Sequence, residues 1–534
     1  MNAVIFEPSD AWAMFVRAAQ PDVERWQAAL DAPDTAQARR LAQLLEAGRD
    51  TAFGRQHGFS EIRSADQFRD RVPIRDTAAF LPWLERAAQE PEPVLTREWP
   101  AFFERTSGST ARSKLIPYTP AFLRELQAAM IVWLADMARE HPDITAGRAY
   151  WSMSPALQGP GMTSNGIAIG SASDLDYLGG GSSAAALAAT LLVPPLDGDP
   201  TVWRRQTLRA LVADETLALL SVWSPTFLTS LLRPLFSPGE PDSTRDLEWI
   251  EANLPAARAA ALRKAITRGR CDALWPQLAA VSSWMDGPSR VYAESLRTRF
   301  PAAVQWLPKG LLATEGVVSI PFGDGDGCPL AIGSHYLEFV FDDGRVCDVS
   351  GLAPGDEAVV LLTTGGGLYR YALGDRVRVT RFTGRTPCIA FMGRAGASCD
   401  LVGEKLDERM VGDALAPVFA SGASACLVPD AQADVPHYVM LLAGVPRESA
   451  EMLRDAIETR LDRIFHYSHA RRIGQLDPLR VRWLSDAPAR LGDLLQHAAE
   501  RSGIRAGDVK PSPLVNRLPM AELVLGTSEW WQHE

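Results

Sequence analysis

A chain of 534 residues with 46% hydrophobic and 22% charged side chains carries enough apolar material for two or three packed domains and too much for a disordered one. With 65 acidic against 54 basic residues, a net of −11, it is neither a nucleic-acid-coating nor a basic membrane-surface protein, so a bound polyanion has to be held by local groups. No apolar run of about 18 residues and no basic-then-apolar leader is present, so neither a membrane span nor a signal peptide is expected.

The first hundred residues place apolar side chains at three- and four-residue spacing and predict helices, with ARRLAQLLEAGRD ending on Gly48 as a C-cap. Residues 144–170 are strand-like and open on YWSMSP. Residues 171–190 read as a long loop around Gly179, Gly180 and Gly181. Residues 202–236 and 246–268 predict helices, the second with basic residues toward its C-terminal end. From about 277 to 394, β-branched and aromatic runs alternate with Gly and Asp, the texture of strands joined by tight turns. Beyond 395, VPHYVMLLAG predicts a strand, ESAEMLRDAIETRLDRIFH an amphipathic helix and RVRWLSD another strand. The expected class is α/β with α+β elements, divided into a large N-terminal domain over 1–394 and a small α+β cap over 395–534.

Five segments carry candidate chemistry. In ERTSGSTARSKLIPYT, Thr106, Ser107, Gly108, Ser109 and Thr110 form a hydroxyl- and glycine-rich turn followed by Lys114. Such a turn suits phosphate, because glycine admits the backbone, hydroxyls and N–H groups donate, and lysine neutralises charge. The same composition also serves as an ordinary turn or helix cap. In LLATEGVVSIPFG, Glu315 follows Thr314 after an apolar run. A carboxylate there can hold hydrated Mg²⁺ beside phosphates, or simply be solvated. In TTGGGLYRYALGDRVRV, Asp375 offers two acceptor oxygens that match a ribose diol, though Gly-Asp is also a common turn. FMGRAGASCDLVGEKLDE carries Arg394 and Lys405 where the texture changes. GDVKPSPLVNR places Lys510 in a proline-bounded segment, where it could stabilise charge developing on a phosphate.

In this order the five segments resemble the adenylate-forming superfamily. In detail they are similar to the Gretchen Hagen (auxin-responsive) acyl acid amido synthetase family in its bacterial form. KLIPYTPAF, YWSMSP, SDLDYLG, SVWSPTF and LWPQLAAVSSWMDG support the resemblance, which runs from about residue 30 to 520. It implies a large domain of β-barrel and α/β sheets with a mobile C-terminal cap. It also implies two reactions: ATP and a carboxylic acid give an acyl-adenylate and pyrophosphate, and an amine, usually an amino acid, then displaces AMP. Through the resemblance, Ser107, Gly108, Ser109 and Thr110 hold phosphates and Thr106 and Tyr369 belong to the nucleotide site. Thr314 lies near the adenine or acyl group, Glu315 approaches Mg²⁺ and Asp375 takes the ribose. Arg394 and Lys405 lie at the domain junction, and Lys510 reaches the adenylation site.

The sequence also departs from the pattern. Ala111 stands where relatives have glycine, and the helix PAFLRELQAAMIVWLADMARE has arginines only at Arg124 and Arg139, so the acyl pocket is expected to differ from that of plant members. Trp133 and Trp151 either line that pocket or pack in the core. His335 either faces the cleft or is a packed or solvated imidazole. The scattered cysteines, Cys271, Cys328, Cys347, Cys388, Cys399 and Cys426, predict reduced thiols in a cytoplasm, with no zinc. The expectation is a cytoplasmic, monomeric ATP- and Mg²⁺-dependent ligase acting on a small acid and an amine, without nucleic-acid or membrane partners. An acyl-CoA synthetase and a non-catalytic nucleotide- or acyl-binding scaffold are the alternatives.

Overall fold

The computed structural model describes residues 7–105, 114–152, 161–170, 182–195, 199–287, 289–395, 398–502, 504 and 509–527. Two units divide the chain, each assembled from three stretches. Met1–Arg148, Gln158–Leu191 and Lys309–Met392 make the first. Ala149–Leu157, Leu192–Pro308 and Gly393–Glu534 make the second.

The first unit opens with helices Pro8–Asp31, Pro33–Gly48, Ala52–Gln56, Ala65–Arg71 and Thr77–Gln89, as the apolar spacing predicts. Thr51, Ser64 and Asp76 cap the last three, each side chain accepting the N–H three residues on. Gly48 is not a C-cap but the last helical residue, and Arg49 takes the cap position. Glycine is needed at 48 for packing, because a Cβ there would overlap the Tyr369 hydroxyl and press on Phe59. A six-stranded sheet runs in the order Cys328–Pro329, Thr386–Arg394, Tyr371–Thr383, Glu357–Thr363, Tyr336–Val340, Val346–Asp348. Its inner faces bury Leu337, Phe339, Val360, Leu362 and Tyr371. Part of the predicted 171–190 loop is a helix, Ser182–Thr190, because its run of alanines favours helix over the flanking glycines' turns. Residues 171–181 lie outside the described residues.

In the second unit a sheet orders Arg148–Trp151, Leu217–Ser221, Ala280–Ser282 and Gln305–Leu307, the last three strands parallel. The strand Leu217–Ser221 interrupts the helix predicted over 202–236, leaving helices Pro200–Ala213 and Pro225–Phe236. A fully buried strand in a parallel sheet reads as a continuous apolar run, which periodicity does not separate from a buried helix. The helix read over 246–268 is two, Pro241–Ala252 and Ala256–Arg268, and the strand-rich stretch contains one more, Ser289–Arg297. From 393 onward a three-stranded sheet, Ser424–Asp430, His437–Ala443 and Arg480–Ser485, pairs first antiparallel and then parallel. The single helix predicted over ESAEMLRDAIETRLDRIFH is two, Ala450–Leu461 and Phe465–Arg472. Tyr467 and Arg471 on the second donate back to the Glu458 carboxylate on the first at 2.9 and 2.8 Å, which holds the break. Helix Ala489–Arg501 packs on Pro225–Phe236, with Asp493 accepting Arg233 at 3.0 Å. All six thiols are free, and no helix among the described residues is long and apolar enough to cross a membrane.

Candidate active site

In the first unit a hairpin, Leu312–Ala313 with Gly316–Val317, turns through the two residues Thr314 and Glu315. Tyr118 donates its hydroxyl to the Thr314 carbonyl at 2.9 Å and fixes the turn. Glu315 is only 7% exposed and accepts the Lys114 ammonium at 3.0 Å. Lys114 also donates to the Tyr371 hydroxyl at 2.8 Å, and that hydroxyl lies 2.8 Å from Thr77 Oγ1. Burial alone would lower the Lys114 pKa, but Glu315 and Tyr371 outweigh it and hold it above the ordinary lysine value. Burial and then the Glu315 charge push the Tyr371 phenol up. The result is a carboxylate paired with an ammonium in a sheltered place. Sequence reasoning named Glu315 and Lys114 but missed Tyr371 and Thr77. Tyr371 sits in the YRYALGD motif, whereas Thr77 gives no local signal. Thr106, Ser107, Gly108, Ser109 and Thr110 lie outside the described residues.

Tyr371 opens the strand that carries Asp375. Opposite Val360, this strand loops out Leu373, Gly374 and Asp375 in a bulge, with Gly374 at φ 83. Bulges of this kind re-aim a side chain out of the alternating pattern, and Asp375 is fully enclosed. Tyr369 is a core plate: its ring stacks on Phe53 at 4.9 Å, its hydroxyl donates to the Leu95 carbonyl at 3.1 Å, and burial pushes its pKa far up. His335 is likewise enclosed. Its Nε2 accepts the Val317 N–H at 3.0 Å, which requires the proton on Nδ1, 2.7 Å from Glu125 Oε2. Glu125 also accepts Arg40 and the Gly365 N–H. His335 therefore braces the hairpin behind Glu315 and has no nitrogen left for a substrate.

Trp133 is 2% exposed in the core, under the Lys309 ammonium at 4.9 Å from the ring centroid. Sequence reasoning did not single out Lys309, since a lone lysine after a proline carries no signal. Burial drags its pKa from 10.5 to about 7. The unfolded chain keeps this proton to about 10.4 and the folded chain releases it near 7, so stability rises with pH across that window. Lys309→Met is expected to remove the part of this rise in stability that comes from the lysine. Thermal unfolding across a pH series checks this, and a difference between the two chains that does not change between pH 7 and 10 would contradict the lowered pKa.

In the second unit Ser152 and the motifs SVWSPTF and VSSWMDG meet at one end of the parallel sheet. Ser152 N–H donates to the Ser221 carbonyl, Val222 to Ser282, and Trp284 to Trp223, at 2.8–2.9 Å. The carboxyl ends of parallel strands are where open α/β sheets bind ligands. Trp151 is half-buried at this end, and the Trp223 and Trp284 rings lie 6.1 Å apart. Lys510 Nζ lies 5.3 Å from the Trp284 centroid. Glu408 ties the same region together by accepting the Arg394 N–H at 3.3 Å and the Ser512 hydroxyl at 2.7 Å. Lys405 is exposed, at φ 47, beside a turn pinned by the buried Glu404 carboxylate through Leu401 and Val402 N–H groups at 2.8 and 2.9 Å. Among the described residues no group of three or more His, Cys, Asp or Glu side chains is placed to hold a metal ion.

Two family models match the chain. The GH3 family N-terminal domain matches residues 23–236, and the GH3 family central domain matches residues 328–394. A protein of Oryza sativa subsp. japonica described as probable indole-3-acetic acid-amido synthetase GH3.12 is 24% identical over 431 residues, 68% of this chain and 69% of its own length. Another from the same plant, probable indole-3-acetic acid-amido synthetase GH3.4, is 29% identical over 203 residues, 35% of this chain and 31% of its own length. Among solved structures, the GH3.15 acyl acid amido synthetase in complex with 2,4-DB superposes with a TM-score of 0.77 at 17% identity, covering 98% of this chain and 97% of that one. The 2-hydroxyisobutyryl-CoA ligase in its postadenylation state gives 0.53 at 13% identity, covering 85% and 86%. These two likenesses are of fold, that of adenylate-forming enzymes. Two successive domain models of one family together span more than half of the residues, and the chain belongs to the GH3 family.

Proposed function

We infer that the chain is an ATP-dependent acyl acid amido synthetase. The observation that carries this reading is membership of the GH3 family, together with a relative named as an amido synthetase that aligns over 68% of the chain. In the first step a carboxylate oxygen attacks the α-phosphorus of ATP, the bond to the β-phosphate breaks, and pyrophosphate leaves. In the second an amine nitrogen attacks the acyl carbon, the bond to the AMP oxygen breaks, and the amine proton passes to solvent. No covalent nucleophile is needed, because positioning and charge stabilisation lower both barriers.

Thr106–Thr110 are proposed to hold the phosphates. Glu315, paired with Lys114, is proposed as a carboxylate for Mg²⁺, which when bound would offset phosphate charge. Lys510 is proposed to stabilise charge at the α-phosphate, and Asp375 to accept the ribose hydroxyls. Asp375→Ala is then expected to weaken ATP binding about tenfold in calorimetry. An unaltered Kd would leave Asp375 as a structural carboxylate of its bulge.

The test of the whole reading is pyrophosphate release with a panel of carboxylic acids, each with and without amino acids or coenzyme A. Amide product with an amino acid is the expected result. Turnover stimulated only by coenzyme A would make the chain a thioester-forming ligase, and no release with any acid would make it a binding protein.

A further inference from the structure

We propose that Glu125 is a positioning residue for Glu315: through His335 it sets the turn that carries the Glu315 carboxylate, so that adenylation depends on a hydrogen-bond acceptor at the Nε2 position of that imidazole. The inference rests on the synthetase reading for its rate effect and on geometry for the coupling itself. The Thr314–Glu315 turn is pinned on both sides. Tyr118 donates to the Thr314 carbonyl at 2.9 Å, and His335 Nε2 accepts the Val317 N–H at 3.0 Å, two residues beyond Glu315. A neutral imidazole can carry its lone pair on either nitrogen. Here Glu125 Oε2, 2.7 Å from Nδ1, keeps the proton on Nδ1 and leaves Nε2 as the acceptor that Val317 needs. Phe122, on the same helix as Glu125, stacks on the imidazole with ring centroids 5.6 Å apart and planes inclined by 21°, which holds the ring plane.

The Glu125 carboxylate is a junction as well as an orienting group. Its Oε1 accepts the Arg40 guanidinium from helix Pro33–Gly48, and its Oε2 also accepts the Gly365 N–H at 3.0 Å. Gly365 lies in the turn closed by the Gly367 N–H on the Thr364 carbonyl, just ahead of the strand that bears Tyr371 and Asp375. One buried side chain thus ties helix Pro120–Glu140 to the Glu315 hairpin and to the approach of the Asp375 strand. Two motif glycines record how closely these groups pass. A Cβ at Gly316 would lie 2.8 Å from His335 Nε2, and one at Gly365 would overlap Glu125 Oε1. The glycines that follow Glu315 in ATEG and Thr364 in TTGGG therefore make room for the Glu125–His335 pair. The advantage is preorganisation: a carboxylate set in place beforehand need not be ordered when a cation or a phosphate arrives.

The test uses the full chain with an acid that supports pyrophosphate release. Glutamine and asparagine separate the two ends of the imidazole, since the Gln amide reaches the Nε2 position and the Asn amide only the Nδ1 position. His335→Asn is expected to slow release about tenfold and to raise the Mg²⁺ concentration for half-maximal release by about as much, the effect of one lost buried hydrogen bond. His335→Gln should recover most of both, because its amide oxygen can still accept the Val317 N–H. In a Glu315→Gln background, His335→Asn should change the residual rate by less than about twofold. Equal losses for Asn and Gln, or an undiminished loss in the Glu315→Gln background, would overturn the proposal and make His335 a packing residue. Amide hydrogen exchange of Leu311–Ser319, followed by mass spectrometry, reads the coupling without turnover. Exchange at Val317 should quicken in His335→Asn and stay near the wild-type rate in His335→Gln. It should also quicken in Glu125→Gln, whose amide cannot accept Arg40, His335 and Gly365 together. Unchanged exchange at Val317 in Glu125→Gln would remove Glu125 from the arrangement. Unfolding midpoints identify a variant that has merely lost its fold, and Glu125→Asp, which keeps the charge but withdraws the oxygens by one methylene, then repeats the measurement. A wild-type chain that releases no pyrophosphate but shows the exchange pattern would lose the synthetase reading and keep the coupling.

Discussion

Lys510→Ala is expected to slow pyrophosphate release by about 10²–10³-fold while leaving ATP affinity within about twofold. The magnitude is that of removing one preorganised charge donor from a transition state, about 3–4 kcal/mol. The asymmetry follows from its proposed role, because charge grows on the α-phosphate only as the carboxylate attacks. The backbone that follows this position is anchored. Leu427 donates its N–H to the Pro513 carbonyl at 2.8 Å and Val515 donates to the Leu427 carbonyl at 2.9 Å, so the segment after Lys510 is stitched to the edge of the three-stranded sheet. Ser512 adds a bond to Glu408. Lys510→Arg should not rescue fully, since a planar guanidinium presents its charge differently from a compact ammonium. Unchanged pyrophosphate release in Lys510→Ala would remove the lysine from the first step.

What the sequence made legible was local. The helices of the first hundred residues, the strand His437–Ala443 and the strand Arg480–Ser485 declare themselves by period and β-branched content. The motif order pointed to the family because each motif is contiguous. What stayed hidden was pairing across distance. Lys114 meets Glu315 across 201 residues and Tyr371 across 257, and nothing near Lys114 says which carboxylate neutralises it. The same holds for Trp284 and Lys510, more than two hundred positions apart. His335 fails as a candidate substrate ligand for a related reason: alternation in GSHYLEFVF tells which residues share a face, not that Glu125 and the Val317 N–H occupy both ring nitrogens. The strand Leu217–Ser221 was missed because a buried parallel strand has no polar face to mark its period. Composition bounded the site only by exclusion. A net charge of −11 left a polyanion dependent on local cations, and Lys114, Lys309 and Lys510 are each held against a carboxylate or an aromatic ring.

Glu338→Ala is expected to destabilise the first unit by about 3–5 kcal/mol, the usual result of removing one partner from a buried ionic network. Glu338 is 1% exposed on the strand Tyr336–Val340. It accepts Arg69 Nε at 3.1 Å on one oxygen and Arg370 Nε at 3.0 Å on the other. Arg370 spends another nitrogen on the Arg69 and Val72 carbonyls, at 3.0 and 2.7 Å, and Arg69 reaches Asp348 at 3.0 Å. Removing the carboxylate leaves two guanidiniums in a site that it bridged, with only Asp348 and the exposed Asp66, both on Arg69, to balance them. The backbone is involved as well. Arg370 sits at φ 49, a left-handed conformation that a branched-chain-free but Cβ-bearing residue adopts only when its surroundings hold it there. Arg370 directly precedes Tyr371, whose hydroxyl meets Lys114, so relaxation at 370 should reach the Glu315 pair. Thermal unfolding should show a fall of about 10 °C for Glu338→Ala. Amide exchange should quicken first in Tyr336–Val340 and at Tyr371 if the network holds both. Glu338→Gln should recover part of the loss, because it keeps one acceptor for a guanidinium while giving up the charge. A midpoint unchanged in both variants would mean that the arginines satisfy themselves on carbonyls and water, and that the left-handed turn at Arg370 owes nothing to the carboxylate beneath it.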